Sequence, residues 1–133
     1  QAVAFVETAP PERPLFLWFA QKAPHGPFQV ADSVGNGFAD ERVPRSDAWA
    51  EADVGDKPGW VRRERMGGRE RRQADARWRK SLGMLQSVDR GIDPLLQALA
   101  TTGRLDNTVF IYFTDNGFLY GQHRLVGKGV LYE

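Results

Sequence analysis

Two hydrophobic patterns run along this chain, and each predicts a different element. Leu15-Phe16-Leu17-Trp18-Phe19-Ala20 is a continuous apolar run without alternation. Such a run suits a strand covered on both faces, as strands of a parallel sheet are. Thr108-Val109-Phe110-Ile111-Tyr112-Phe113-Thr114, β-branched and aromatic, is the clearest strand in the sequence. Between the two, from about Arg69, the pattern turns helical. Trp78, Leu82, Leu85, Ile92, Leu96 and Leu99 recur at steps of three, four and seven, with Asp89 on the same face. Gly91 and Pro94 interrupt that face, and Asp93 is placed to cap a fresh helix with Pro94 at its first position. Gly103 supplies a stop, and Leu105-Asp106-Asn107 makes a turn into the second strand. The order strand, long loop, helix, strand predicts an α/β fold with parallel strands and right-handed crossovers.

The remaining segments read as connections. Residues 1–14 carry Pro10, Pro11 and Pro14 and are expected to form no regular element. Gln21 to Phe28, with Pro24, Gly26 and Pro27, makes a rigid extended loop. Residues 29–60 are rich in Gly, Asp and Pro without periodicity, and structureless loops of that length are usually functional or disordered. With 133 residues the chain holds one domain at most. Its longest apolar run is far shorter than the ~20 residues a membrane helix needs, so no membrane partner is expected. No basic segment precedes a signal-like apolar core, which leaves the compartment open between secreted, periplasmic and cytoplasmic. The absence of cysteine excludes disulfides, thiolate metal sites and a thiol nucleophile.

Charge adds a further feature. Lys+Arg 18 against Asp+Glu 17 nearly cancel, but not locally. Glu41, Asp47, Glu51, Asp53 and Asp56 precede Pro58; Arg62, Arg63, Arg65, Arg69, Arg71, Arg72, Arg77, Arg79 and Lys80 come after it. A basic block invites a nucleic-acid reading. No recognition motif or stacking aromatic series accompanies it, and the expectation is a solvated, salt-bridged helix face with no nucleic-acid partner.

In open α/β sheets, function collects beyond the carboxyl ends of the strands. The first strand runs into Lys22 and His25, a histidine between two prolines with no apolar face to fill. The second runs into Asp115-Asn116-Gly117, then Gly121-Gln122-His123-Arg124 and Gly127-Lys128-Gly129. Asp115 and Asn116 offer hard oxygen donors suited to calcium or magnesium, though Asx-Gly is also ordinary turn chemistry. Lys128 between glycines could hold an oxyanion together with backbone N–H groups, or be a plain solvated lysine. His123 is either a second polar contact or a surface residue.

Taken in order, these motifs resemble the type I sulfatases of the alkaline phosphatase superfamily. Leu15 to Phe28 resembles their strand and Ala-Pro-His-x-Pro loop. Ser87-Val88-Asp89 and Thr102-Gly103-x-Leu105-Asp106-Asn107-Thr108 resemble the helix and turn before their metal-binding strand. Phe113-Thr114-Asp115-Asn116-Gly117-Phe118, then Gly121-Gln122-His123-Arg124 through Lys128 to Tyr132-Glu133, resembles the end of that strand and the loop beyond it. The resemblance implies an alkaline-phosphatase-like sandwich, a mainly parallel β-sheet flanked by helices. It implies that Asp115 and Asn116 ligate a divalent cation, most simply Ca²⁺, with Mg²⁺ or Mn²⁺ as substitutes. His25 would contact the ester near its leaving oxygen, Lys128 would neutralise a sulfate oxygen, and His123 would lie on the substrate side.

The departures from the pattern are as informative. The family's formylglycine nucleophile, made in a Cys-x-Pro-Ser-Arg motif, has no counterpart, and neither do the paired aspartates that complete the metal site nor the Lys-x-His motif. Residues 1–133 are therefore expected to be an internal segment of a larger sulfatase catalytic domain, inactive in isolation. The implied substrate is a small sulfate ester or a sulfated glycan. The alternatives are a phosphonate or phosphate monoester hydrolase of the same superfamily, and a non-catalytic homologue that binds an anion or a partner.

Overall fold

The structure, a computed structural model, describes residues 1–35 and 37–130. Its organising element is α3 (Gly68–Thr101), preceded by α1 (Ala2–Thr8) and the single turn α2 (Gly59–Arg62). At 34 residues, α3 is a rod about 50 Å long. Its two ends build separate small cores. At the carboxyl end, Leu95, Ala98 and Leu99 pack with Val6 of α1, flanked by Ala2, Val3, Leu15 and Leu105. At the amino end, Ala74 packs with Val43, Ala50 and Met66, flanked by Trp49, Trp78 and Tyr120. No helix among the described residues is long and apolar enough to cross a membrane.

Three expectations about the helical parts are corrected. Residues 2–8 are helical, where proline content predicts an irregular lead-in. The prolines begin only at position 10, and Ala2, Val3 and Val6 share the face that meets α3. Ala9 then takes the extended backbone that a following proline favours. The break at Gly91–Pro94 does not occur: α3 runs straight through Pro94. The proline removes one backbone donor, while packing of Met84 on one side and Leu95, Ala98 and Leu99 on the other holds the rod. The buried face is also rotated from the Leu-rich stripe. Leu99 of the stripe is buried, but Trp78, Leu82, Leu85, Ile92 and Leu96 are only half-buried, and Ala74, Ser81, Gly83, Met84, Leu95 and Ala98 are buried instead. Small residues let the covering chain approach: a Cβ at Gly83 would lie 2.8 Å from a Val30 methyl. The stop at Gly103 is as expected, with φ 68° and the Arg104 N–H closing on the Leu99 carbonyl at 2.8 Å.

Residues 29–60 lack periodicity but are not loose. Val34, Val43, Ala50 and Val54 are buried. The tie to α3 is the buried carboxylate of Asp75, whose Oδ1 accepts the Val43 N–H at 3.0 Å. Arg45 Nη2 donates to both oxygens of the same group, at 2.8 and 2.7 Å. The basic block is solvated as expected, with Arg62, Arg63, Arg65, Arg69, Arg71 and Arg72 exposed. It is not salt-bridged among the described residues, because Asp75 turns inward to Arg45 and no carboxylate lies within ion-pair distance of the block's arginines.

The expected strands form no ladder among the described residues. The only strands there are β1 (Leu119–Tyr120) and β2 (Val126–Gly127), an antiparallel pair with Leu119 opposite Gly127. Leu15–Ala20 and Thr108–Thr114 carry strand sequence without neighbours to pair with, so their side chains stand bare: Phe16 is 83% exposed and Val109 86%. The segments still meet each other. Trp18 packs edge-on against Phe113 at 5.9 Å, and further along Phe28 packs against Phe118 at 6.4 Å.

Asp75→Ala is expected to strand the Val43 N–H and the Arg45 guanidinium together. A fully buried pair loses about 3–5 kcal/mol on such a cut. Arg45 reaches water, so about 2 kcal/mol is expected here, read from the urea midpoint. Asp75→Asn keeps an acceptor for Val43 and is expected to cost about half as much.

Candidate active site

Two loops leave the extended segments and are drawn together by aromatic side chains rather than by their polar groups. Phe28 follows the His25 loop and Phe118 follows Asp115-Asn116-Gly117. Phe118 stacks on Tyr120 at 4.7 Å, and Tyr120 meets Trp78 of α3 at 5.1 Å. The Tyr120 hydroxyl donates to Ser81 Oγ at 2.7 Å, fixing this series to the helix. Arg77 lies 5.6 Å over both Phe28 and Phe118.

Asn116 and Lys128 are brought together. The Lys128 ammonium donates to Asn116 Oδ1 at 3.2 Å, while Asn116 Nδ2 donates to the Gly117 carbonyl at 2.7 Å. Thr114 Oγ1 closes the turn on the Asn116 carbonyl at 2.8 Å. Asp115 stands exposed beside them. His25 is exposed in its turn, with Nδ1 2.8 Å from the Gly26 carbonyl. A carbonyl only accepts, so Nδ1 carries the proton and Nε2 faces outward. No hydrogen bond or ion pair among the described residues joins His25 to Asp115, Asn116 or Lys128.

His123 belongs to a different constellation. Its Nδ1 lies 2.6 Å from Glu51 Oε2, and Lys57 Nζ lies 3.3 Å from Glu51 Oε1. The backbone repeats the tie: His123 N–H to the Ala48 carbonyl at 2.7 Å, and Ala50 N–H to the Gly121 carbonyl at 2.8 Å. Arg124 Nε and Nη2 donate to the Glu51 and Ala52 carbonyls at 2.8 and 2.7 Å. His123 and Arg124 both take left-handed backbone, φ 50° and 65°, which neither favours. This set of bonds to residues 48–52 holds them there. The His123 hydrogen bond, aided by Lys57, holds the Glu51 carboxyl below its usual value.

Asp115 offers a free carboxylate and Asn116 a carboxamide oxygen, hard donors of the kind a divalent cation takes, the second of them shared here with the Lys128 ammonium. A cation that wants six oxygens needs more donors, and no group of three or more His, Cys, Asp or Glu gathers to hold a metal among the described residues. Two donors alone do not make a shell for such a cation. Sequence reasoning misses Glu51 and Arg77, because nothing local marks either. Glu51 lies in a run of acidic residues and meets His123 across 72 positions. Tyr132 and Glu133, the end of the resemblance, lie outside the described residues.

The sequence profile of the sulfatase family matches residues 1–131, nearly the whole chain. The chain belongs to the sulfatase family, and membership carries the α/β fold class of the alkaline phosphatase superfamily. Among its relatives is an arylsulfatase of Volvox carteri, 32% identical over all of this chain and 24% of the relative. A putative extracellular sulfatase Sulf-1 homolog of Caenorhabditis elegans is 35% identical over 91% of this chain and 17% of its own length. Human N-acetylglucosamine-6-sulfatase is 32% identical over 90% of this chain and 22% of its own length. The chain thus spans between 12% and 28% of the length of these and other curated relatives it matches. No solved structure gives a significant match.

Glu51 generates a pH prediction. Its folded carboxyl titrates below its unfolded one, so its contribution is present above the usual glutamate value of about 4.3 and is lost as pH falls through the lowered value. The melting-temperature gap between wild type and Glu51→Gln is therefore expected to be widest near neutrality and to close below about pH 4. A gap that stays constant down to about pH 3 would show that Glu51 is not ionically held.

Proposed function

We propose that residues 1–133 are an internal segment of a sulfatase catalytic domain that hydrolyses a sulfate ester with the help of a divalent cation. On this reading Leu15–Ala20 and Thr108–Thr114 are strands of a mainly parallel sheet in an alkaline-phosphatase-like sandwich. The observation that carries the site assignment is the Lys128 contact. It puts an ammonium group on the side chain of Asn116, next to the free carboxylate of Asp115. An anion-binding cation and two hard oxygen donors then share one small surface.

The roles come from the chemistry of each group. Asp115 and Asn116 would hold the cation, most simply Ca²⁺, which when bound supplies positive charge against the sulfate oxygens. Lys128 neutralises a sulfate oxygen as charge redistributes during transfer, and electrostatic stabilisation of that kind is usually the main source of rate acceleration. His25, its Nδ1–H held by the Gly26 carbonyl, can in its imidazolium form donate the Nε2 proton to the departing alkoxide or phenoxide oxygen. The sulfur–oxygen bond to that group breaks as the proton arrives. The nucleophile comes from outside these residues, since no Cys-x-Pro-Ser-Arg motif, nor its serine counterpart, lies among them. The substrate, a small sulfate ester or a sulfated glycan, enters where the two loops meet.

Two substitutions in the complete protein separate metal binding from anion binding. Asp115→Ala is expected to lower calcium occupancy by elemental analysis, with activity partly restored at high calcium. Lys128→Ala is expected to leave metal content intact and to lower kcat by about 10²–10³-fold. Full activity in Lys128→Ala, or stoichiometric calcium in Asp115→Ala, would overturn the assignment. Absence of aryl sulfate turnover in the wild type alongside efficient phosphonate hydrolysis would overturn the sulfatase reading itself.

A further inference from the structure

Four arginines in the amino-terminal half of α3, its lead-in and its covering turn are held in place or left open without being neutralised. Arg71 donates Nε–H to the Met66 carbonyl at 2.9 Å and lies 5.2 Å from the Trp49 ring centre. Arg124 is fixed by the Glu51 and Ala52 carbonyls, and Arg77 by the rings of Phe28 and Phe118. Arg65 is exposed and takes no polar partner among the described residues. None of the four enters a salt bridge there, whereas Arg45 is paired with Asp75. Carbonyls and ring faces orient a guanidinium but leave its charge intact. All four are open to an anion from outside, and for Arg71, Arg77 and Arg124 little ordering entropy remains to be lost on binding.

The arginines converge. Arg65, Arg71 and Arg124 line a cavity of about 300 Å³, walled by residues 50–52 and Gly67. Its one carboxylate, Glu51, already serves Lys57 and His123. A second cavity of about 230 Å³ shares Arg65, Met66 and Arg124 and reaches Arg77 and Val126. Glu64 and Glu70 line it too, so the larger cavity is the more strongly cationic of the two. The pair leads toward the candidate active site. Val126 is two residues before Lys128, and Arg77 covers Phe118, two residues after Asn116.

We infer that these cavities form a subsite for a second anionic group of the substrate, a sulfate or carboxylate on a neighbouring sugar. The inference rests on the sulfatase reading and narrows its substrate class to a polyanionic glycan. The larger volume suits a single acidic sugar, at the small end of the roughly 300–1,000 Å³ of ligand pockets. A small aryl sulfate would leave the arginines unused. Guanidinium forks recognise sulfate and carboxylate through paired hydrogen bonds, so geometry as well as charge contributes.

The test is calorimetric binding of a trisulfated heparin disaccharide to the complete protein that carries this chain. Arg65→Ala is expected to weaken binding about 10-fold, the loss of one charge-assisted contact. Arg65→Lys keeps the charge without the fork and is expected to fall between the two. Arg72→Ala, an exposed helix arginine outside both cavities, is expected to stay within about two-fold of wild type. Equal losses in Arg65→Ala and Arg72→Ala, or no loss in either, would overturn the subsite, because binding would then be diffuse. So would displacement of the disaccharide by duplex DNA at equal charge concentration. The readout needs no turnover, which separates the two failures. A protein that hydrolyses no sulfate ester but binds through Arg65 refutes the sulfatase reading alone. One that hydrolyses sulfate esters without Arg65 dependence refutes the subsite alone.

Discussion

One carboxylate ties the long helix to the irregular segment that covers its amino-terminal half. Asp75 sits within the strongly basic stretch, yet faces inward to Val43 and Arg45. Arg45 then lies 3.5 Å over the Trp49 ring, and the Trp49 indole donates to the Tyr120 carbonyl at 3.1 Å. Tyr120 rests between Trp78 and Phe118, and Phe118 reaches Phe28. The aromatic series beside the loops bearing His25 and Asp115 is thus tied to α3 twice, through this relay and directly through Trp78 and Ser81. A buried ion pair is weak evidence for net stability, but it is a strong device for choosing one arrangement among several.

The helix and its stop are legible in the sequence because their signals are local. Periodicity over some thirty residues and a glycine at the right place need no partner to be read. The lead-in helix is hidden because three prolines mask seven good residues ahead of them. Continuity through Pro94 is hidden for a different reason: propensity predicts a break, while packing on both sides of Pro94 decides otherwise. The buried positions of the helix mix small residues (Ala74, Ser81, Gly83 and Ala98) with Met84, Leu95 and Leu99, so a search for large hydrophobic positions finds only part of them.

The candidate site divides in the same way. Asp115, Asn116 and Lys128 lie within fourteen residues and can be grouped by eye, and the Asn116–Lys128 contact does join two of them. His123 lies between them in sequence but is claimed by Glu51, a pairing across 72 positions that no local pattern encodes. A histidine beside a suspected pocket is drawn to whichever carboxylate the fold supplies. The strained turn at His123 and Arg124 is tolerated because residues 48–52 bind it on so many atoms.

The bare extended segments have a practical consequence for anyone handling this stretch of chain. Val109-Phe110-Ile111-Tyr112-Phe113 combines branched and aromatic residues with no charge, proline or glycine, and Leu15–Ala20 has the same character. Runs of this kind stack readily into dry, interdigitated fibrils when nothing covers them. During synthesis the second run emerges about ninety residues after the first, so neither can cover the other until the entire helix has been made. Chaperone demand, and solubility on recombinant production, will therefore be set by these two short stretches more than by the stability of either core.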